Sequence, residues 1–225
     1  ANKDRVAKLC RFASTNNSTD VKNVSLEDYV ARMKDGQDKI YYITADSFNG
    51  AKNSPHLEIF KQKGIEVLLL TDRVDEWVVS HLFEFEGKSL VSVAKGKLDL
   101  GKLDDEKPSE DEIKQQDEQA KPILEKIKTA LAGKVKDVVV TTRLVDSPAC
   151  LVVDNNAMSM QMERLMRQAG QEMPANQPTL EINLKHKLIS KLEFSIDQDQ
   201  TDALSLVIFE QAQLTEGIQL DDPVG

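Results

Sequence analysis

The sequence predicts an α/β unit built on a βαβ crossover with a parallel sheet, followed by a smaller α+β unit of a few strands with helices. Two apolar, β-branched runs, Lys39 to Asp46 (KIYYITAD) and Ile65 to Asp72 (IEVLLLTD), flank a short helical segment, the order a parallel sheet requires. A charge-dense tract from Lys97 to Pro122 then separates this pattern from a second set of short strand and helix signals. The alternating segment Leu180 to Leu184 (LEINL) between helical stretches marks the second set as α+β.

Taken in order, Val6, Leu9, Cys10 and Ala13 are spaced i, i+3, i+4 and i+7 and read as the inside of a helix. The run at Lys39 ends in an acid and is followed by Phe48-Asn49-Gly50. Ser54-Pro55-His56-Leu57-Glu58 then opens a helix that Gly64 closes. The run at Ile65 is too continuously apolar to have one face in water. A short helix begins near Asp75 and carries Trp77, the single tryptophan, beside Val78, His81 and Leu82. The charged tract reads as a linker or a solvated helix. Ser109 and Glu112 match a capping box, and Ile123, Ile127 and Leu131 form a stripe ended by Gly133. Val135 to Thr142 and Ala149 to Val153 read as strands joined through Asp146-Ser147-Pro148, with helices from His186 to Glu193 and from about Gln200 to Glu216.

Function classes narrow by exclusion. A net charge of −9 argues against a nucleic-acid footprint, and no signal peptide or membrane-length apolar run is present, so a cytoplasmic protein is expected. Cys10 and Cys150 sit in apolar surroundings and read as reduced, buried thiols. His56, His81 and His186 show no metal-ligand spacing, and Ser47-Phe48-Asn49-Gly50 has one glycine where a phosphate loop needs several. Asp46 and Asp72 end strands, where open α/β sheets place ligand groups. They support an alternative reading as a small-ligand or enzymatic domain, against which stand the ordinary roles of strand-end aspartates as caps and turns. Arg73 reads as part of a surface ion pair.

The segment from Asp154 to Gly170 is the strongest candidate for contact with a partner. Four of the six methionines lie between Met158 and Met166, and Met158, Met162, Leu165, Met166 and Ala169 form one helical stripe, with a start near Asp154 or Asn155. Such a stripe is either core or an adaptable contact surface; flexible methionine specifies core packing poorly and is over-used where one surface must fit many partners. Glu163, Arg164 and Arg167 lie off it. Ala203 to Phe209 has Ser205 as its one polar residue, so that helix is apolar on more than one face. One face should pack on its own sheet and the rest, with Leu204, Val207 and Ile208, should meet a partner subunit.

Longer words add to these patterns. Ser25 to Met33 (SLEDYVARM), Tyr41-Tyr42-Ile43-Thr44, Pro55-His56-Leu57-Glu58, Gly64 to Trp77 (GIEVLLLTDRVDEW) and Thr141 to Leu151 (TTRLVDSPACL) resemble the ninety-kilodalton heat-shock chaperone family in its bacterial form. The resemblance runs from Leu9-Cys10-Arg11-Phe12 to Asp221-Asp222-Pro223. It implies that residues 1–108 are the C-terminal part of a chaperone middle domain and residues 109–225 a C-terminal dimerisation domain. It further implies a fragment that is not itself an enzyme and holds no cofactor, the ATP, Mg and ATPase of the full-length protein belonging to an upstream domain. Partners implied are unfolded or partly folded client proteins, co-chaperones and a second subunit, with no nucleic acid and no membrane. The resemblance assigns client contact to Trp77, Met158, Met162, Leu165 and Met166, and dimerisation to two terminal helices of which this sequence holds the penultimate one.

Overall fold

The computed structural model describes residues 3–17, 19–104, 110–171, 176–194 and 197–220. Ser109 of the expected capping box and Pro223-Val224-Gly225 lie outside the described residues. In the first unit, strand β1 (Ala13–Ser14) pairs antiparallel with β3 (Leu68–Leu70), which runs parallel to the central β2 (Lys39–Thr44). On its other side β2 runs parallel to β5 (Lys88–Ser92), and β5 pairs antiparallel with β4 (Glu84–Phe85). The parallel pairs are thus confined to the centre, and both edges are antiparallel.

Both faces of this sheet are covered, which is why its central strands lack polar alternation. Tyr41, Ile43, Val67 and Leu69 pack on one face with Ala51, Leu57 and Phe60, from helices α3 (Phe48–Lys52) and α4 (Glu58–Gln62) and the 3₁₀ turn Pro55–Leu57 between them. Ile40, Tyr42, Leu68 and Leu70 pack on the other face with Leu26 and Tyr29 of α2 (Leu26–Ala31). Helix α2 starts with a capping box between Ser25 and Asp28. It is pinned to the sheet by the Tyr29 hydroxyl, which donates to the Glu66 carbonyl (2.7 Å) and accepts from the Tyr41 N–H (3.0 Å).

The first helix departs from the expected pattern. Helix α1 (Lys3–Leu9) ends at Leu9; it buries Ala7, while Val6 and Leu9 are exposed and Ala13 belongs to β1. The stripe fails because the chain turns at Cys10 to deliver Phe12 and Ala13 to the sheet. Cys10 is accordingly half-exposed and Cys150 fully buried, both as free thiols.

The second unit has a three-stranded sheet in which β8 (Thr179–Ile182) lies between β6 (Asp137–Val140), parallel to it, and β7 (Ala149–Val152), antiparallel. β6 and β7 therefore do not pair, although a turn joins them in sequence. Helix α6 (Glu110–Ala130) continues past Pro122, and Ala120, Ile123, Ile127 and Leu131 belong to the core it shares with the sheet. Leu192 of α8 (Lys187–Phe194) and Ile208, Phe209 and Ala212 of α9 (Gln198–Thr215) complete that core.

A polar joint connects the two units. Arg143 is the largest fully buried side chain; its Nε donates to Glu181 (2.9 Å) within the second unit. Its Nη atoms reach into the first unit, to the Gly96 carbonyl (2.8 Å) and the Val93 carbonyl. His56, also fully buried, meets Glu216 at 2.8 Å. The Glu58 carboxylate accepts the successive N–H groups of Val145 (2.6 Å), Asp146 (2.8 Å) and Ser147 (3.2 Å), and the Ser147 hydroxyl as well (2.5 Å). Burial would raise the Glu58 carboxyl, but these hydrogen bonds outweigh it and hold the group below its ordinary value.

Candidate functional site

Between the units lies a cleft of about 1260 Å³. Its floor is the carboxyl ends of β2 and β3, through Asp46 and Asp72, where a parallel sheet exposes the start of its connecting loops. One wall is helix α7 (Met160–Gln168), presenting Gln161, Arg164 and Leu165; the other includes Phe209 and Gln213 of α9. Glu76, next to Trp77 on α5 (Asp75–His81), faces the cleft and is largely buried, with Oε1 unpartnered.

Helix α7 begins later than the sequence predicts. Asp154 and Ala157 close a turn (3.0 Å), and Ser159 caps the helix by accepting the Met162 N–H (3.0 Å). Gly170, in the left-handed region at φ 79°, stops it. On this helix Met162 is buried at 8 % exposure, whereas Met158, just before it, and Leu165 and Met166 are half-buried. The methionine stripe is thus graded, with its deepest residue at the middle. Trp77 is 52 % exposed on α5, with Val74 and Phe83 also exposed nearby in sequence.

The three residues expected at a subunit contact separate. Ile208 is 1 % exposed and belongs to the core of its own unit, Leu204 packs partly against that core, and Val207 is 54 % exposed. A one-residue step on a helix turns the side chain by about 100°, so Val207 and Ile208 cannot share a face. Ala203 and Leu214 extend the exposed side of α9.

Sequence reasoning missed the polar residues that place α7. Arg164 forms an ion pair with Asp46 and donates to the Gly217 carbonyl (2.5 Å), and Gln161 donates to the Glu216 carbonyl (3.1 Å). Burial lowers the Arg164 guanidinium from its ordinary value. The strand-end acids are engaged as structural partners: Asp46 with Arg164, and Asp72 with Lys22 at 2.5 Å. Among the described residues no group of His, Cys, Asp and Glu could hold a metal ion, and no helix is long and apolar enough to cross a membrane.

The model of the Hsp90 protein family matches residues 1–225. The chain is 58 % identical over 225 residues to the chaperone protein HtpG of Dechloromonas aromatica, covering 100 % of this chain and 35 % of that protein. It is 58 % identical over 223 residues to HtpG of Aromatoleum aromaticum (99 % and 34 %) and 52 % over 223 residues to HtpG of Legionella pneumophila (99 % and 35 %). The chain therefore spans about a third of the length of the curated relatives it matches. Matched from one end to the other by the family's model and by these relatives, the chain belongs to the Hsp90 protein family.

Proposed function

We propose that this chain is the client-binding and dimerisation part of an ATP-driven, cytoplasmic chaperone. In this reading residues 1–108 are the C-terminal part of the middle domain and residues 109–225 the dimerisation domain, and the ATP- and Mg-dependent hydrolysis belongs to another domain of the whole protein. The observation that carries the proposal is the graded methionine stripe of α7 beside the cleft, in a chain of the Hsp90 family. Soft, half-buried methionines can repack against many apolar sequences, and full burial adds the remaining part of the roughly 1.5–3 kcal/mol that separates an exposed from a buried side chain. Trp77, exposed on α5, offers a large apolar anchor of the kind that dominates contact energy. The exposed side of α9, with Val207, is the surface for a second subunit.

The test replaces Met158, Leu165 and Met166 by serine together and measures binding of a carboxymethylated, permanently unfolded polypeptide. Affinity should fall at least about tenfold while each substitution costs about 1 kcal/mol in stability, because a half-buried side chain carries only part of the roughly 1.5–3 kcal/mol of full burial. Unchanged affinity with a large loss of stability would assign the stripe to the core.

A further inference from the structure

We propose that Arg164 and Asp46 form a latch that fixes α7 in a closed position, and that opening it bares the buried part of the methionine stripe. Among the described residues, the side-chain hydrogen bonds and ion pairs from α7 to other elements run through Gln161 and Arg164. Arg164 gathers Asp46 from the end of β2 and the Gly217 carbonyl from beyond α9, so one guanidinium ties the helix to both units. Gly217 makes room for this meeting: a Cβ there would lie 3.2 Å from both Arg164 Nη1 and Asp46 Oδ2.

The tie acts on the cleft side of the helix, and the methionines Met162 and Met166 lie on the other. Arg164 is two residues from Met162, about 200° around the axis. Holding Arg164 therefore sets the roll of α7, and with it how much of Met162 and Met166 shows. The latch is also weak by construction. Its ion pair is partly exposed, with Asp46 side-chain exposure of 51 %, and Arg164 Nε is buried without a partner. A polypeptide entering the cleft with its own acidic or basic side chains would compete for the same two groups. The use of the latch, though not its existence, rests on the client reading above.

Hydrogen exchange followed by mass spectrometry on the whole 225-residue chain tests the latch directly. In Arg164→Ala the amides of Met160–Gln168 should exchange at least about tenfold faster than in the parent, with β2 and α9 unchanged, because a local opening has become easier. Asp46→Asn, at an exposed position that leaves the fold intact, should shift the same amides in the same direction. Binding of the carboxymethylated polypeptide should tighten severalfold in both variants. Faster exchange with unchanged affinity keeps the latch and counts against the client reading; unchanged exchange in both variants overturns the latch whatever the affinity does.

Discussion

Replacing Arg143 with alanine removes the hub of the joint between the two units. The Glu181 carboxylate, 7 % exposed, loses its 2.9 Å partner, and the Val93 and Gly96 carbonyls lose their donor. Breaking a buried ion pair by deleting one member costs about 3–5 kcal/mol, and each stranded carbonyl adds about 1–3 kcal/mol unless water enters. A loss of about 5 kcal/mol shifts the midpoint of a chain this size by about 10–20 °C. Urea and thermal unfolding, followed by circular dichroism, would read both quantities. Because Arg143 bridges the units, the variant should also split one transition into two. The paired replacement Arg143→Met with Glu181→Leu should recover the ion-pair part of the loss, since an apolar pair of similar volume leaves no charge unpaired, while the Val93 and Gly96 carbonyls stay without their donor. A cost under about 1 kcal/mol for Arg143→Ala, or no recovery in the double variant, would refute the reasoning.

Two other outcomes follow from the geometry. The Glu58 carboxyl is held below its ordinary value of 4.5, so its contribution is fully present above that pH and disappears as pH falls through the lower folded-state value. Glu58→Gln should therefore lower stability at neutral pH and flatten the acid limb of a stability-against-pH curve; an unchanged limb would count against the three N–H contacts. Val207→Asp should leave the unfolding midpoint nearly unchanged and weaken self-association in a light-scattering dilution series, whereas Ile208→Asp should destabilise the unit by several kcal/mol by placing a charge in its core. A Val207→Asp protein that self-associates like its parent would remove α9's exposed side as the subunit contact.

How much was readable from sequence depended on whether a residue's partner was local. The runs at Lys39 and Ile65 announce β2 and β3 because burial on both faces forces unbroken apolar composition. The edge strands β1 and β4 have two residues each, too few for any period to register. Ile123, Ile127 and Leu131 signal the buried face of α6, but Pro122 beside them invites an early boundary that the helix ignores. At the candidate site, the stripe of α7 is visible as a spacing, and the greater depth of Met162 is not, because the depth depends on elements that meet α7 only in the folded chain. Arg143 shows the limit most plainly. Nothing local in Thr141-Thr142-Arg143-Leu144 marks it for burial, and its partners are Gly96 and Glu181, 47 and 38 residues away in the chain.

The same joint has a consequence for the order in which the molecule can assemble during synthesis. The Val93 and Gly96 carbonyls leave the ribosome well before Arg143, and Arg143 precedes Glu181, which neutralises it; His56 must wait for Glu216. The earlier unit can close its own two-faced sheet at once, keeping those carbonyls and His56 hydrated. Clasping the later unit needs almost the whole described chain, because Arg143 enters dry surroundings at acceptable cost only with its carboxylate already beside it. The seam is thus a final step on a nascent chain, and until that step the two halves are separate folding problems.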